Sequence, residues 1–240
     1  MEALIDIRGL RFQYDDGTVA LDGVDFQLYP GETVAIFGAN GSGKTTFVLH
    51  LNGLLTGSGT ITICGMAVNK QNLAQVREKV GVVFQDSEMQ LFMSTVLEDV
   101  AFGPLNLGLS REEASDRAFH ALEQVGMSNC AGKAPYHLSA GEKKRVAVAG
   151  ILAMRPEILV LDEPTTFLDP PGQRSLIELF ESLPQAKILV THDVECARAL
   201  AHRAVFFEKG RIRGEGSVED IAARFNWDRT VIRRPAGSRH

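Results

Sequence analysis

The 240-residue chain has little cysteine, with three residues, little tryptophan, with one, and only 7% aromatic residues in all. It also lacks a positive excess, because 25 Lys+Arg stand against 30 Asp+Glu for a formal net charge of −5. Cys64, Cys130 and Cys196 lie far apart, so they form neither a close-spaced zinc set nor the dense framework of a small secreted scaffold, and they suit a reducing cytosol. An acidic balance is the wrong sign for a chain whose main partner is nucleic acid. Long apolar runs are missing too. The central uncharged stretch, Val146 to Met154, is bracketed by Arg145 and Arg155 and falls far short of the ~20 residues that cross a bilayer. The opening MEALIDIRGL lacks the basic-then-apolar order of a secretory signal. What is present, 45% hydrophobic and 23% charged residues, is an ordinary globular composition. The length equals roughly one and a half domains of ~150 residues, which suits one α/β domain with a sizeable insertion.

Along the first third, short apolar runs alternate with glycine-rich turns. Leu4 to Ile7, Val24 to Leu28, Thr33 to Phe37, Ile61 to Ile63 and Val80 to Phe84 read as strands. After Lys44 the period lengthens, placing Phe47, Val48, Leu51, Leu54 and Leu55 on one helical stripe. From Asp86 to Arg155 helix signals dominate. Ser110 with Glu113 forms a capping box ahead of Ala114, Ala118, Ala121, Leu122 and Val125, and Ser139 with Glu142 forms a second one ahead of a segment running to Met154. Strands return at Ile158 to Leu161 and Ile188 to Val190, separated by a helix over Gln173 to Leu183. Their unbroken apolar character predicts strands covered on both faces by helices. The last fifteen residues, with Arg229, Arg233, Arg234 and Arg239, read as a solvated tail.

Three strand ends carry chemistry. Gly38-Ala39-Asn40-Gly41-Ser42-Gly43-Lys44-Thr45 matches the phosphate-binding loop, with a strand before it and a helix after. Its glycines let successive N–H groups and the helix N-terminus point at phosphate oxygens. Lys44 supplies charge between the β- and γ-phosphates, and the Thr45 hydroxyl suits Mg²⁺. Ile158-Leu159-Val160-Leu161-Asp162-Glu163 sets two acids at a strand's carboxyl end, where ligands sit in an open parallel sheet. Asp162 suits the surroundings of Mg²⁺, and Glu163 suits polarising an attacking water. Ile188 to His192 ends in the same way, which makes His192 a partner for the γ-phosphate, and Gln85 closes a further strand within reach of metal or water. Leu138 to Glu142 is a helix start whose small residues offer N–H donors to a second, incoming phosphate.

Taken together, the loop Gly38 to Thr45, Gln85, Leu138 to Glu142, Asp162 with Glu163, Leu168-Asp169 and His192 closely resemble, in order and separation, the ATP-binding cassette family of transporter ATPases. The resemblance runs from about Ile5 to Ile221. Phe84-Gln85-Asp86, Gln90-Leu91-Phe92, Glu98 to Gly108, Gly141 to Ala147 and Leu152 to Pro164 are similar to the energy-coupling-factor group, most of all to the ATPases of cobalt or nickel importers, the CbiO type.

The resemblance implies an α/β fold: a P-loop (RecA-like) core with a mostly parallel sheet, an N-terminal antiparallel β region and an inserted helical subdomain. Residues 1–225 would form one ATPase domain, with 1–85 and 156–225 as the nucleotide-binding core, 86–155 as the helical subdomain and 226–240 as a tail. It implies ATP and Mg²⁺, with Thr45, Gln85 and Asp162 at the ion, and Glu163, His192, Lys44 and Gln85 in catalysis. Residues 38–45 and Thr46 would hold the nucleotide, with Tyr14 stacked on adenine. It further implies a homodimer in which Ser139, Gly141 and Glu142 of one copy complete the site of the other. A groove from Gln85 to about Gly103 would receive a membrane-embedded coupling subunit, beside a substrate-binding membrane subunit, at the cytoplasmic face of the cell membrane, with no nucleic acid involved.

Two residues depart from the family pattern. Ala140 replaces a usual second glycine, which should preserve activity unless φ must be positive there, and Phe167 stands in the dimer-contacting stretch where a smaller residue is common. A vitamin importer is the alternative within the group. A DNA-repair or chromosome-type ATPase would need long coiled coils between Gln85 and Ser139, where the chain has no room for them, and a P-loop kinase leaves Leu138 to Glu142 unexplained.

Overall fold

The computed structural model describes residues 2–228, so the basic positions of the expected tail, Arg229, Arg233, Arg234 and Arg239, lie outside the described residues. Two sheets differ in kind. The first is antiparallel, in the order β2-β1-β4-β5, from β1 (Ile5–Gln13), β2 (Val19–Leu28), β4 (Ser58–Ile63) and β5 (Met66–Ala67). In β1 buried and open positions mix, as a one-sided sheet requires.

The second sheet is built from β3 (Thr33–Phe37), β6 (Val80–Val83), β7 (Ile158–Asp162), β8 (Ala186–Val190), β9 (Arg203–Glu208) and β10 (Arg211–Gly216), in the order β10-β9-β3-β8-β7-β6. All its pairings are parallel except β10 with β9. Here β3, β6 and β8 are buried at every position, the signature of strands covered on both faces.

The period of two sorts these apolar runs into two cores. Ala35, Phe37, Leu159, Leu161 and Leu189 face one way, and Val34, Ile36, Ile158, Val160 and Ile188 face the other. The second face packs on α1 (Lys44–Leu51) through Phe47, Val48 and Leu51, and on the antiparallel sheet through Ile5, Ile7 and Leu28. Each such side chain, fully buried, stabilises the fold by ~1.5–3 kcal/mol. The expected α1 stripe stops early. Gly53, at φ +64, turns the chain after Leu51, so Leu54 is exposed. A short α2 (Leu73–Lys79), unmarked in the sequence reading, then leads into β6.

The first face is covered by the helical stretch. Among the described residues, 86–155 contain no strand; they hold α3 (Val96–Asn106), α4 (Arg111–Gln124) and α5 (Ala140–Leu152) with short 3₁₀ turns. All three helices open with a capping box, in which Thr95, Ser110 or Ser139 accepts from the N–H of Glu98, Glu113 or Glu142, whose carboxylate reaches back. Val100, Ala114, Ala118, Leu122, Val146, Ala149 and Leu152 join the same core as Phe37 and Leu161. The chain continues through α6 (Pro170–Ser182), α7 (Val194–Leu200) and α8 (Val218–Arg224) on that face.

Candidate functional site

Register alone brings four loops to one edge. Ile36 of β3 pairs with Val190 of β8, which pairs with Asp162 of β7, while Val83 of β6 pairs with Leu161. The strands run in one direction, so Gly38, Thr191-His192, Glu163 and Gln85 all leave the sheet at its carboxyl edge.

The glycine loop is shaped by two close approaches. Gly38 has φ +148, and a Cβ there would lie 2.4 Å from the Phe207 carbonyl oxygen; Gly43 has φ +108, with a Cβ 2.5 Å from the Ala20 oxygen. No other residue fits either place. Gly43 precedes α1 without a side-chain cap, so no side chain competes for the first N–H groups of α1, the kind of helix start that can take an anion. The Lys44 Nζ donates to the carbonyls of Gly38, at 2.6 Å, and Ala39, at 3.0 Å, folding the cation over the loop. Inside the loop the buried Ser42 hydroxyl has no hydrogen-bond partner within the described residues.

Charge gathers opposite the loop. Burial holds the Asp162 carboxyl above its ordinary range, the neighbouring Glu163 charge adds to this, and Lys44 and Lys144 oppose it. Burial also lowers the Lys44 pKa, against the pull of Glu163 and Asp162. Lys44, Asp162 and Glu163 therefore share one electrostatic neighbourhood. Glu163 sits at φ +48, a strained conformation for a non-glycine residue of order 1–3 kcal/mol, fixed by its N–H donating to Val190 O at 2.8 Å. Its Oε2 lies 2.8 Å from His192 Nδ1 and accepts more weakly from Thr191 Oγ1 and the His192 N–H. His192 thus meets Glu163 directly.

Tyr14 stands beside the start of α1. Its hydroxyl bonds the Thr46 Oγ1 at 3.0 Å, its ring meets Phe12 edge-on, and it remains 41% exposed. Thr46 is buried and its hydroxyl bonds Tyr14, while its backbone N–H lies in the first turn of α1. Thr45 is exposed. The chain does not join Ser139, Gly141 and Glu142 to the loop. Ser139 donates its N–H and hydroxyl to Glu142, both at 2.8 Å, and the nearest neighbour of a Cβ at Gly141 is Leu168, at 3.8 Å. Those two donations keep the Glu142 carboxyl below its usual range. Ala140 opens α5 without positive φ, so a glycine is not required there. Phe167 takes φ +68 and stands 80% exposed beside Leu168.

Gln85 is exposed, and its carbonyl accepts from the Lys144 Nζ. Below it, a groove of 320 Å³ runs between α3 and α5, lined by Leu91, Phe92, Phe102, Ile151 and Met154 with Asp99 at its floor. Asp99 is buried; its Oδ1 accepts from the Phe92 and Met93 N–H groups at 2.9 Å, and its Oδ2 has no partner within the described residues. Sequence reasoning missed Asp99, the Thr95–Glu98 box and Lys144. Lys144 hides in the run Lys143-Lys144-Arg145, yet the four-residue spacing to Val148 and Leu152, both buried, marks its inward face.

Comparison with known proteins adds five findings. The family profile described as ABC transporter matches residues 21–166. A putative ABC transporter ATP-binding protein of Streptomyces avermitilis is 50% identical, covering 95% of this chain and 86% of that protein. The energy-coupling factor transporter ATP-binding protein EcfA of Methanothermobacter thermautotrophicus is 47% identical, covering 96% and 75%. Among solved structures, cbiO1 from Clostridium perfringens, described as part of the ABC transporter complex cbiONQ, superposes with a TM-score of 0.85 at 34% identity, covering 98% and 96%, and the dimeric bacterial ABC transporter cassette MJ0796 does so with 0.79 at 29%, covering 89% and 98%.

Proposed function

The chain belongs to the ABC transporter family of ATP-binding, ATP-hydrolysing proteins, and from that premise we propose that it is the energy-coupling ATPase of a membrane importer for cobalt or nickel ions. The observation that carries the reading is the convergence of Lys44, Asp162, Glu163 and His192 on one sheet edge facing a phosphate cradle. Likeness to cbiO1, part of a cbiONQ complex, supports the choice of metal ion over vitamin.

Residues 38–46 hold the phosphates through backbone N–H groups, and Tyr14 stacks on adenine. Lys44 leaves the Gly38 and Ala39 carbonyls for the β- and γ-phosphates. Glu163 takes a proton from the attacking water, while His192, anchored on Glu163 at 2.8 Å, hydrogen-bonds the γ-phosphate. The residues present fit Mg²⁺: Thr45 is open at the cradle, Gln85 follows β6, the strand beside the one that ends in Asp162, and Asp162 carries a burial penalty that a dication would offset. Among the described residues no three His, Cys, Asp or Glu cluster as a self-sufficient site, which suits an ion that takes one or two protein oxygens and completes its shell with phosphate and water. When bound, Mg²⁺ neutralises phosphate charge and polarises the γ-phosphoryl group.

A second copy completes the site, its Ser139, Gly141 and Glu142 presented to the nucleotide across a homodimer seam; the bonding of Ser139 to Glu142 and the contact of Gly141 with Leu168, rather than with the loop, support this. Among the described residues no helix is long and apolar enough to cross a membrane. Membrane attachment therefore falls to partners, a coupling subunit in the α3–α5 groove and a substrate-binding membrane subunit beside it, holding this chain at the cytoplasmic face. Cells carrying the assembled importer should take up labelled cobalt or nickel with the native chain and lose that uptake with Glu163→Gln. Uptake of a vitamin instead, or metal uptake indifferent to the substitution, overturns the reading.

A further inference from the structure

Lys144 is 3% exposed, an unusual burial for an ammonium group. Its Nζ donates to the Gln85 carbonyl and lies within electrostatic reach of Asp86, Asp162 and Glu163. Burial lowers its pKa, and those three acids support the charged form. Desolvating a lysine carries a cost that a methionine of similar reach would avoid. The stretch it holds is stapled at a second point, where the Gln90 side chain accepts from the Phe84 N–H at 3.1 Å and donates to Val82 O at 3.2 Å, completing the edge of β6. Between these anchors lie Gln85 and the start of the groove wall, and the helix that carries Lys144 supplies the opposite wall through Val146, Ala147, Gly150 and Ile151.

We propose that Lys144 is a positioning residue for ATP hydrolysis: by clamping the main chain at Gln85 onto α5, it fixes the Gln85 side chain at the phosphate edge and ties that position to what occupies the groove. The inference rests on the reading of Gln85 given above. The clamp adds no group to the nucleotide itself, so it acts on turnover rather than on affinity.

The test is a double-mutant cycle on the purified chain, with kcat and KM measured for ATP with Mg²⁺, alongside the thermal midpoint of each variant. Lys144→Met should lower kcat about tenfold with KM within about twofold, Lys144→Arg should restore most of the turnover, and in a Gln85→Ala background Lys144→Met should cost less than about twofold more. Should Lys144→Met not fold, Lys144→Gln, which keeps a polar tip without the reach, carries the same comparison. Effects of Lys144 and Gln85 substitutions that multiply, or a Lys144 effect that raises KM and lowers the thermal midpoint at unchanged kcat, overturn the clamp. A Gln85→Ala variant with native turnover overturns instead the underlying reading of Gln85, and the clamp with it.

Discussion

The phosphate edge and the helical block are made from the same core, yet they satisfy themselves to different degrees. At the edge, β3, β7 and β8 are closed by parallel ladders, and Glu163 is held by Val190, Thr191 and His192. The block closes its helix starts with three capping boxes, with Ser139 bonded to its own Glu142, but it exposes Met89, Phe92, Phe102 and Leu105. The contrast teaches a division of labour. Chemistry needs geometry fixed in advance, whereas assembly needs surfaces that other chains complete.

If that division holds, substitutions in the two regions fail in different ways. Glu163→Gln should lower turnover by about 10²–10⁴-fold with ATP affinity retained, read by steady-state hydrolysis and equilibrium nucleotide binding. Equal losses of both would erase the distinction between a preformed edge and its ligand. Phe102→Glu, in the groove wall, should abolish co-purification of membrane partners while nucleotide affinity stays within about twofold; retained partners would place assembly elsewhere. Ser110→Ala removes only a cap on α4, so it should cost about 1 kcal/mol, a fall in the thermal midpoint of roughly 2–4 °C, with hydrolysis unaltered. A change in hydrolysis there would show that the block is not mechanically separate from the edge.

How far each region could be read from sequence follows the same line. The phosphate loop and the strand acids are local signals, since glycines, a lysine and apolar runs of five residues dictate their own geometry. Two helices of the block, α4 and α5, were readable from Ser110 and Ser139, whose capping partners stand three residues away. Missed features depend on distant neighbours. β9 and β10 form a hairpin whose value lies in extending the sheet beside β3, and α7 and α8 are single short helices held by tertiary packing rather than by periodicity. Lys144 is hidden in the run Lys143-Lys144-Arg145 because its partner, the Gln85 carbonyl, is brought to it from the far end of β6. Thr46 was expected at the nucleotide, and only the contact with Tyr14 shows that its hydroxyl is already engaged. Phe167 was recognised as a departure, but its positive φ and exposure needed coordinates.

The central claim is that one chain holds a preformed half of the active site and a second copy supplies the rest. Light scattering on Glu163→Gln, which should retain ATP without consuming it, tests that claim directly. The account predicts the 26.2 kDa chain alone or with ADP, and twice that mass with saturating ATP. A particle that stays at 26.2 kDa with ATP fully bound would contradict it.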